Sequence, residues 1–302
     1  MDDAGPIIAD LNAPPLDAVE RLVQRARDAL LALQRPDGHF VFELEADCTI
    51  PSEFVLLKHY LGEPADLELE RKIGVYLRRI QGEHGGWPLY HGGAFDISAS
   101  VKAYFCLKMI GEDLEAPHMV RARAAIRAHG GAMAVNVFTR IQLALYGDMP
   151  WREIPTMPPE IILLPRWFPI TLGKMSYWAR TVIVPLLVLM SLQPRARNPR
   201  GVHVPELFED VIPVPRASKG ANLKKTWVVG FNALDGVLKA LIPVWPKGLR
   251  QRAIDRCRDW VIERLNGEDG LGAIYPAMAN SVMMFDALGY PQDHPQSAIA
   301  RK

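Results

Sequence analysis

Three segments of the chain close in nearly the same way, and their spacing constrains the fold more than any other feature. Gln34-Arg-Pro-Asp-Gly38-His-Phe40 and Gln81-Gly-Glu-His-Gly85-Gly86-Trp87 share the pattern Gln-x-x-x-Gly-x-aromatic. Each follows a helical run opened by basic residues, from Arg27 to Leu33 and from Arg71 to Ile80. A weaker copy, Arg256 to Gly270, has Asn266 in place of Gln and no closing aromatic, and Ala124 to Gly131 is a degenerate fourth. Measured at the Gln position the copies fall at 34, 81, 127 and 266, so the spacings are 47, 46 and 139 residues, the last close to three times 46. That period is too long for one helix and suits a helix pair with its loops. One supersecondary unit therefore repeats, with two middle copies overwritten.

The repeated residues also have a physical reading. Glycine at the fixed position lets the chain leave a helix through a left-handed turn. The aromatic two residues on can fold back over the helix end, and the Gln amide can bond backbone groups freed there. A single copy would read as an ordinary helix C-cap; recurrence in register favours the repeat.

Along the chain, residues 1–15, with Pro6, Pro14 and Pro15, read as a lead-in arm, and 16–302 as the folded domain. Asp17 is expected to cap a helix whose apolar stripe is Val19, Leu22, Val23, Ala26, Ala29, Leu30 and Leu33. Further helices are predicted over Ser52 to Leu61, Leu67 to Ile80, Ile97 to Ile110, Met119 to Ala128 and Val135 to Leu145. Six prolines from Pro150 to Pro169 forbid long regular elements. Another helix is predicted from Leu172 to Leu192, kinked at Pro185; residues 193–222 are irregular, and helices resume at Leu223. Strand signals are nearly absent, so the class is all-α. Periodicity alone leaves open whether the helix pairs stack as a solenoid or close into a ring.

Composition narrows the function. With 302 residues and 49% apolar side chains the chain can bury a large core. A net charge of +1 gives no reason to invoke nucleic acid. Cys48, Cys106 and Cys257 show no pairing or metal-ligand spacing, which suits a reduced cytoplasmic setting. The acidic opening Met1-Asp-Asp-Ala-Gly is unlike a signal peptide. No His-Glu-x-x-His occurs, and Gly85-Gly86, Gly92-Gly93 and Gly130-Gly131 lack the setting of a nucleotide loop. No metal and no cofactor are expected.

The repeat resembles the QW motif of triterpene cyclases, and other blocks resemble bacterial squalene–hopene cyclase. They are Val137 to Leu145, Pro158 to Leu164, Ser176-Tyr-Trp-Ala-Arg-Thr-Val182, Pro205-Glu-Leu-Phe208 and Asn266 to Pro276. The resemblance runs from about residue 20 onward. It implies an α/α barrel (toroid), most of the N-terminal one of two, with the active cavity between the barrels and squalene as substrate. One departure is decisive: the family's Asp-x-Asp-Asp acid does not occur here. The chain is therefore expected to lack a catalytic residue, to need a missing C-terminal cyclase half, and to be inactive alone.

By resemblance, Trp178 lines the pocket and its π face steadies carbocations. Tyr275 and Pro276 match a pocket loop where better-studied members carry Gln-Pro, and Glu53 matches a glutamate of the polar network around the cavity. Lys102, Asn136 and Gln142 stand where that network can carry Glu, Arg and Trp, so it has been rewritten and these three receive no role. Met175 and Ile183 fall where the substrate channel narrows. From the residues themselves, Trp227, Phe231, Leu234, Leu238, Leu241, Ile242 and Trp245 recur at three- and four-residue spacing, ringed by Lys and Arg. That describes either an amphipathic core helix or one lying in a membrane interface. The family's monotopic membrane contact favours the latter, with membrane lipid as a partner at the cytoplasmic face of the inner membrane. A homodimer stays open. Alternatives are a non-catalytic helical membrane protein derived from a cyclase and an α/α-barrel enzyme of the prenyltransferase type; the latter needs a zinc-binding Asp, Cys and His set, which is not found.

Overall fold

Helices make up nearly all of the regular structure, as the 3.6-residue periodicity predicts. The computed structural model describes residues 15–42, 45, 47–169, 171–210, 225–241, 245–267 and 270–301. Its helices are Leu16–Leu31 (α1), Thr49–Tyr60 (α2), Leu67–Arg79 (α3), Ile97–Met109 (α4), Pro117–Ala128 (α5), Val137–Tyr146 (α6), Tyr177–Leu192 (α7), Lys225–Leu241 (α8), Lys247–Ile262 (α9), Tyr275–Ala287 (α10) and Pro295–Ala300 (α11). The one strand pairing among the described residues is Leu265–Asn266 (β1) with Gly270–Leu271 (β2), antiparallel, inside the weaker repeat copy. Packing divides the chain into two compact units, Met1–Glu45 and Ala46–Lys302.

Helices α2, α5 and α6 start at Thr49, Pro117 and Val137, two or three residues from the expected Ser52, Met119 and Val135, and the starts of α1 and α7 also differ from expectation. Asp17 does not cap α1: Pro15 holds the cap position in extended backbone, and Asp17 sits inside the first turn, paired with Arg21 at 2.9 Å. The Pro15 carbonyl accepts the Ala18 and Val19 N–H groups at 2.8 and 3.1 Å and so starts the helix, and a carboxylate within the first turn is still favoured by the helix dipole. The helix expected from Leu172 begins at Tyr177. Ser176 is extended and its hydroxyl accepts the Ala179 N–H at 3.2 Å, while Leu172–Lys174 is a separate 3-10 turn. Prolines confine 150–169 to short 3-10 turns at Trp151–Glu153 and Pro159–Leu163.

The second unit is built around a row of helices that share one direction. Helix α4 is the middle of it, with every residue but Lys108 buried. It packs on α2 and α6, α2 packs on α10, and α10 on α7. Their N-terminal ends meet: the Cys48 thiol lies 3.5 Å from the Ala99 carbonyl, and Asn136 N–H donates to Ser98 Oγ at 2.9 Å. Gly272, just before α10, lies so close to Thr181 that an added Cβ would touch its Cγ2 at 3.3 Å. Their C-terminal ends meet in the segment after α7. Ala196 N–H donates to the Leu145 carbonyl at 2.7 Å, Arg197 N–H to Tyr60 at 3.0 Å, and the Arg200 guanidinium to Met109 at 2.7 Å. Helices α3 and α5 pack against α4 from outside, and α9 packs against α7. A co-directional inner row backed by outer helices is the all-α layering of an α/α barrel.

The second repeat copy shows what its residues do. Gln81 Nε2 donates to Gly85 O at 2.7 Å and to His118 O, in α5, at 2.9 Å, while its Oε1 accepts from Arg121 at 3.0 Å. Gly85 has φ +85°. Trp87 is fully buried over the end of α3, its indole N–H donating to Leu77 O at 2.8 Å. Trp87→Ala should therefore lose about 3–5 kcal/mol and lower the melting temperature by roughly 10 °C. Phe40, at the matching place in the first copy, is 37% exposed. Phe40→Ala should shift the melt by no more than a few degrees, and circular dichroism melting of both variants checks the contrast.

Candidate functional site

Capping residues aim the inner helices at one end of the second unit. Asp96 Oδ1 accepts the Ala99 N–H at 2.8 Å to start α4, and Asn136 Oδ1 accepts the Thr139 N–H at 3.0 Å to start α6. Asn136, which the sequence left without a role, is thus the cap that sets where α6 begins. The first turns of α2, α6 and α7 leave Ile50, Phe138, Tyr177 and Trp178 exposed at this end. Trp178 is 55% exposed, its ring edge-on to Tyr177 at 6.2 Å, so the indole is no part of the hydrophobic core. The exposed Ile50, Phe138 and Tyr177 were not singled out from sequence, because an apolar residue in a first turn lies off the core stripe without marking which end of a bundle it faces.

Beneath that apolar rim sits a polar group. Lys102, in the buried middle of α4, is 8% exposed and forms an ion pair with Glu53 of the first half of α2. Burying an ammonium is costly unless a partner is held beside it, and Glu53 supplies that partner. Tyr275, the first residue of α10, has its hydroxyl buried with no hydrogen-bond partner among the described residues. Burial holds that phenol well above its ordinary pKa, and the negative charge of Glu53 adds to the effect. Pro276 follows at the exposed helix start. The structure therefore brings Glu53, Lys102 and Tyr275 together. Lys102 was visible in the sequence but unassigned, since its partner lies 49 residues away.

Met175 and Ile183 flank the start of α7, both half-buried against the core. The three cysteines are buried; desolvation pushes the Cys257 thiol up to about 12 and raises those of Cys48 and Cys106. Such thiols are poor nucleophiles. Among the described residues no group of three His, Cys, Asp or Glu is placed to hold a metal ion. A cavity of about 50 Å³ lined by Trp151, Met157, Met190 and Arg250 lies at the other end of α7 and has room for a water or two.

In α8, the side chains of Trp227, Phe231 and Leu234 lie outside the described residues. Leu238 is half-buried, Leu241 is exposed, and Trp245 follows the helix half-buried. The helix is held along one row: Asp235 accepts the Thr156 N–H at 2.6 Å and pairs with Lys239 at 2.8 Å, and Lys239 donates to Arg152 O at 2.9 Å. Val237, on the far side from that row, is exposed. Among the described residues no helix is long and apolar enough to cross a membrane.

Comparison with known proteins agrees with this architecture. Residues 23–302 match the squalene-hopene cyclase N-terminal domain. The chain is 62% identical over 292 residues to the squalene–hopene cyclase of Zymomonas mobilis, covering 96% of this chain and 44% of that protein. It is 55% identical to the Bradyrhizobium diazoefficiens enzyme of the same name over 95% of this chain and 44% of the relative. With the Alicyclobacillus acidocaldarius squalene–hopene cyclase it shares 36% identity over 92% of this chain and 43% of the relative. The chain thus spans under half the length of these relatives.

The ion pair gives a direct test. Glu53→Ala leaves the Lys102 ammonium buried and unpaired, which should cost about 3 kcal/mol and lower the melting temperature by roughly 6–12 °C. Combining Glu53→Gln with Lys102→Met removes both charges and should recover most of that loss. A double variant as unstable as the sum of its single changes would show that the two groups are not coupled.

Proposed function

Because the chain belongs to the squalene–hopene cyclase family, we propose that it forms the N-terminal part of an enzyme that converts squalene to pentacyclic hopanoids. In this reading the protonating acid comes from the length that the relatives have beyond it. A proton added to a terminal double bond of squalene creates a cation, ring-forming attacks by successive double bonds move the charge along, and loss of a proton ends the sequence. The chain contributes a cavity wall. The observation that carries the reading is Trp178, an exposed indole at the free end of the inner helices. An aromatic face stabilises a nearby cation by about 0.5–2 kcal/mol, more in a dry site than a wet one. The paired Glu53 and Lys102 present no net charge to that cation, and the Tyr275 hydroxyl is a polar atom near which the last proton can leave.

Substrate supply follows from solubility. Squalene has no polar group and stays in lipid, so a channel opening into a bilayer avoids carrying it through water. We assign α8 to the membrane surface, with Val237 and Leu241 as its exposed apolar groups and Lys239 anchoring the opposite side to the 151–156 segment. Met175 and Ile183 narrow the path to the cavity, and a flexible Met suits a gate.

Incubation with squalene in detergent tests the enzymatic reading. The chain alone should yield no hopene. Co-expressed with the part of the Zymomonas mobilis cyclase that lies beyond the shared region, it should yield hopene; no product from either preparation defeats the proposal. In the productive mixture Trp178→Phe should retain more activity than Trp178→Leu, since only Phe keeps a quadrupole, and loss of 1–2 kcal/mol slows turnover about five- to thirty-fold. Leu should also release partly cyclised products. Equal product ratios with lowered melting points in both would place Trp178 in packing alone.

Vesicle binding tests the membrane reading. Replacing Trp227, Phe231 and Leu238 with Ser should release much of the protein from lipid vesicles with helix content nearly unchanged, each inserted side chain being worth roughly 1.5–3 kcal/mol. Unaltered co-sedimentation would make this face a core face.

A further inference from the structure

Helix α8 meets the 151–156 strip at two points in matching register. Asp235 Oδ1 accepts the Thr156 N–H at 2.6 Å, and Lys239 Nζ donates to Arg152 O at 2.9 Å. The two side chains lie four residues apart on the helix, and the two backbone groups lie four residues apart on the strip. Asp235 and Lys239 also pair with each other at 2.8 Å, so each holds the other in place. A short bond from an N–H to an ionised carboxylate is among the stronger kinds. Among the described residues, these are the side chains that bond α8 to the rest of the unit.

The strip is suited to receive them. Pro150, Pro155, Pro158 and Pro159 have no N–H to give, so Thr156 offers one of its few donors. Other helices already hold the strip. Arg140 of α6 donates to Glu153 O at 3.3 Å, Arg250 of α9 pairs with Glu160 at 3.0 Å, and Ile154 is buried. A clamp on this strip therefore fixes α8 relative to α6 and α9.

The clamp also sets the roll of the helix. An amphipathic helix is ordinarily oriented by burying its apolar stripe and leaving its charges in water. Here the carboxylate and the ammonium turn inward, Leu238 is half-buried beside them, and Val237 and Leu241 stay exposed. Asp235 is the only acid between Lys219 and Arg252, so no other carboxylate of that stretch can take the Thr156 N–H. We infer that Asp235 is a positioning residue for substrate uptake: with Lys239 it fixes the roll of α8 so that Val237 and Leu241 face lipid, and it touches no substrate itself. This inference rests on the membrane reading of α8.

The test is spectroscopic and uses the full chain. Val237→Cys supplies one exposed thiol, because Cys48, Cys106 and Cys257 are buried, and an environment-sensitive fluorophore is attached there. On addition of vesicles of phosphatidylethanolamine and phosphatidylglycerol, its emission should move to shorter wavelength as the probe enters lipid. With Asp235→Ala added, the vesicle concentration that gives half the shift should rise about tenfold, with helix content and melting curve unchanged by circular dichroism. Asp235→Asn, whose amide oxygen can still accept the Thr156 N–H, should recover most of the parental response. An undiminished response with Asp235→Ala overturns the inference and leaves the membrane reading standing. No shift in the labelled parent overturns both. A weakened response accompanied by lost helix content makes Asp235 a stability residue and overturns the inference as well.

Discussion

The second unit depends on one segment, Arg195 to Arg200, that ties together the C-terminal ends of its inner helices. Helices lying side by side in one direction bring like dipole ends together, and their last carbonyls have no partners within the helix. The segment answers both problems with cations and N–H groups. Arg197 pairs with Asp286 of α10 at 2.8 and 3.1 Å, and the side chain runs so close over Gly62 that an added Cβ would meet it at 2.8 Å. Arg200 reaches the end of α4 and pairs with Glu70 at 2.9 Å, and Glu70 in turn meets the buried His59 at 2.8 Å. Arg195 lies against Gly147 at the end of α6. Outer helices tie in as well, since Glu70 belongs to α3.

The opposite end, where the inner helices start, leaves apolar side chains exposed. The helix starts there are set by side-chain caps at Asp96, Asn136 and Ser176, which satisfy the first N–H groups without covering them. Apolar residues in the first turns can then stay exposed, and Trp178 projects from a helix whose other end is anchored. The Glu53–Lys102 pair sits just inside, where an unpaired charge of either sign would destabilise the wall. An exposed apolar rim above a neutralised polar group is a surface that gains by meeting another apolar surface.

The repeat turn also links one element of the second unit to the next. Each Gln-x-x-x-Gly-x-aromatic turn that finds its neighbour joins one helix pair to the next through a side chain with two donors and an acceptor. The weaker copies use other contacts. Arg127, at the Gln position of the Ala124–Gly131 copy, donates to Glu206 O at 2.8 Å, and the Arg256–Gly270 copy replaces the turn with the β1–β2 ladder.

The helical class, the positions of most helices and the local half of each repeat can be read from the chain without its fold. These depend on interactions within one or two turns, such as Gln81 reaching Gly85 four residues on, or glycine accepting a positive φ. The sequence misplaced several helix starts by two to five residues, those of α1 and α7 because Pro15 and Ser176 compete with Asp17 and Leu172 for the same role and only the backbone decides among them. The tertiary structure alone decided that Gln81 would bind α5, that Arg197 and Arg200 would close helix ends rather than face water, and that Lys102 would find Glu53. Each of those pairs joins residues at least 37 positions apart. Nothing in a linear pattern sets which arginine meets which carboxylate; that choice follows from the register in which the helix pairs pack.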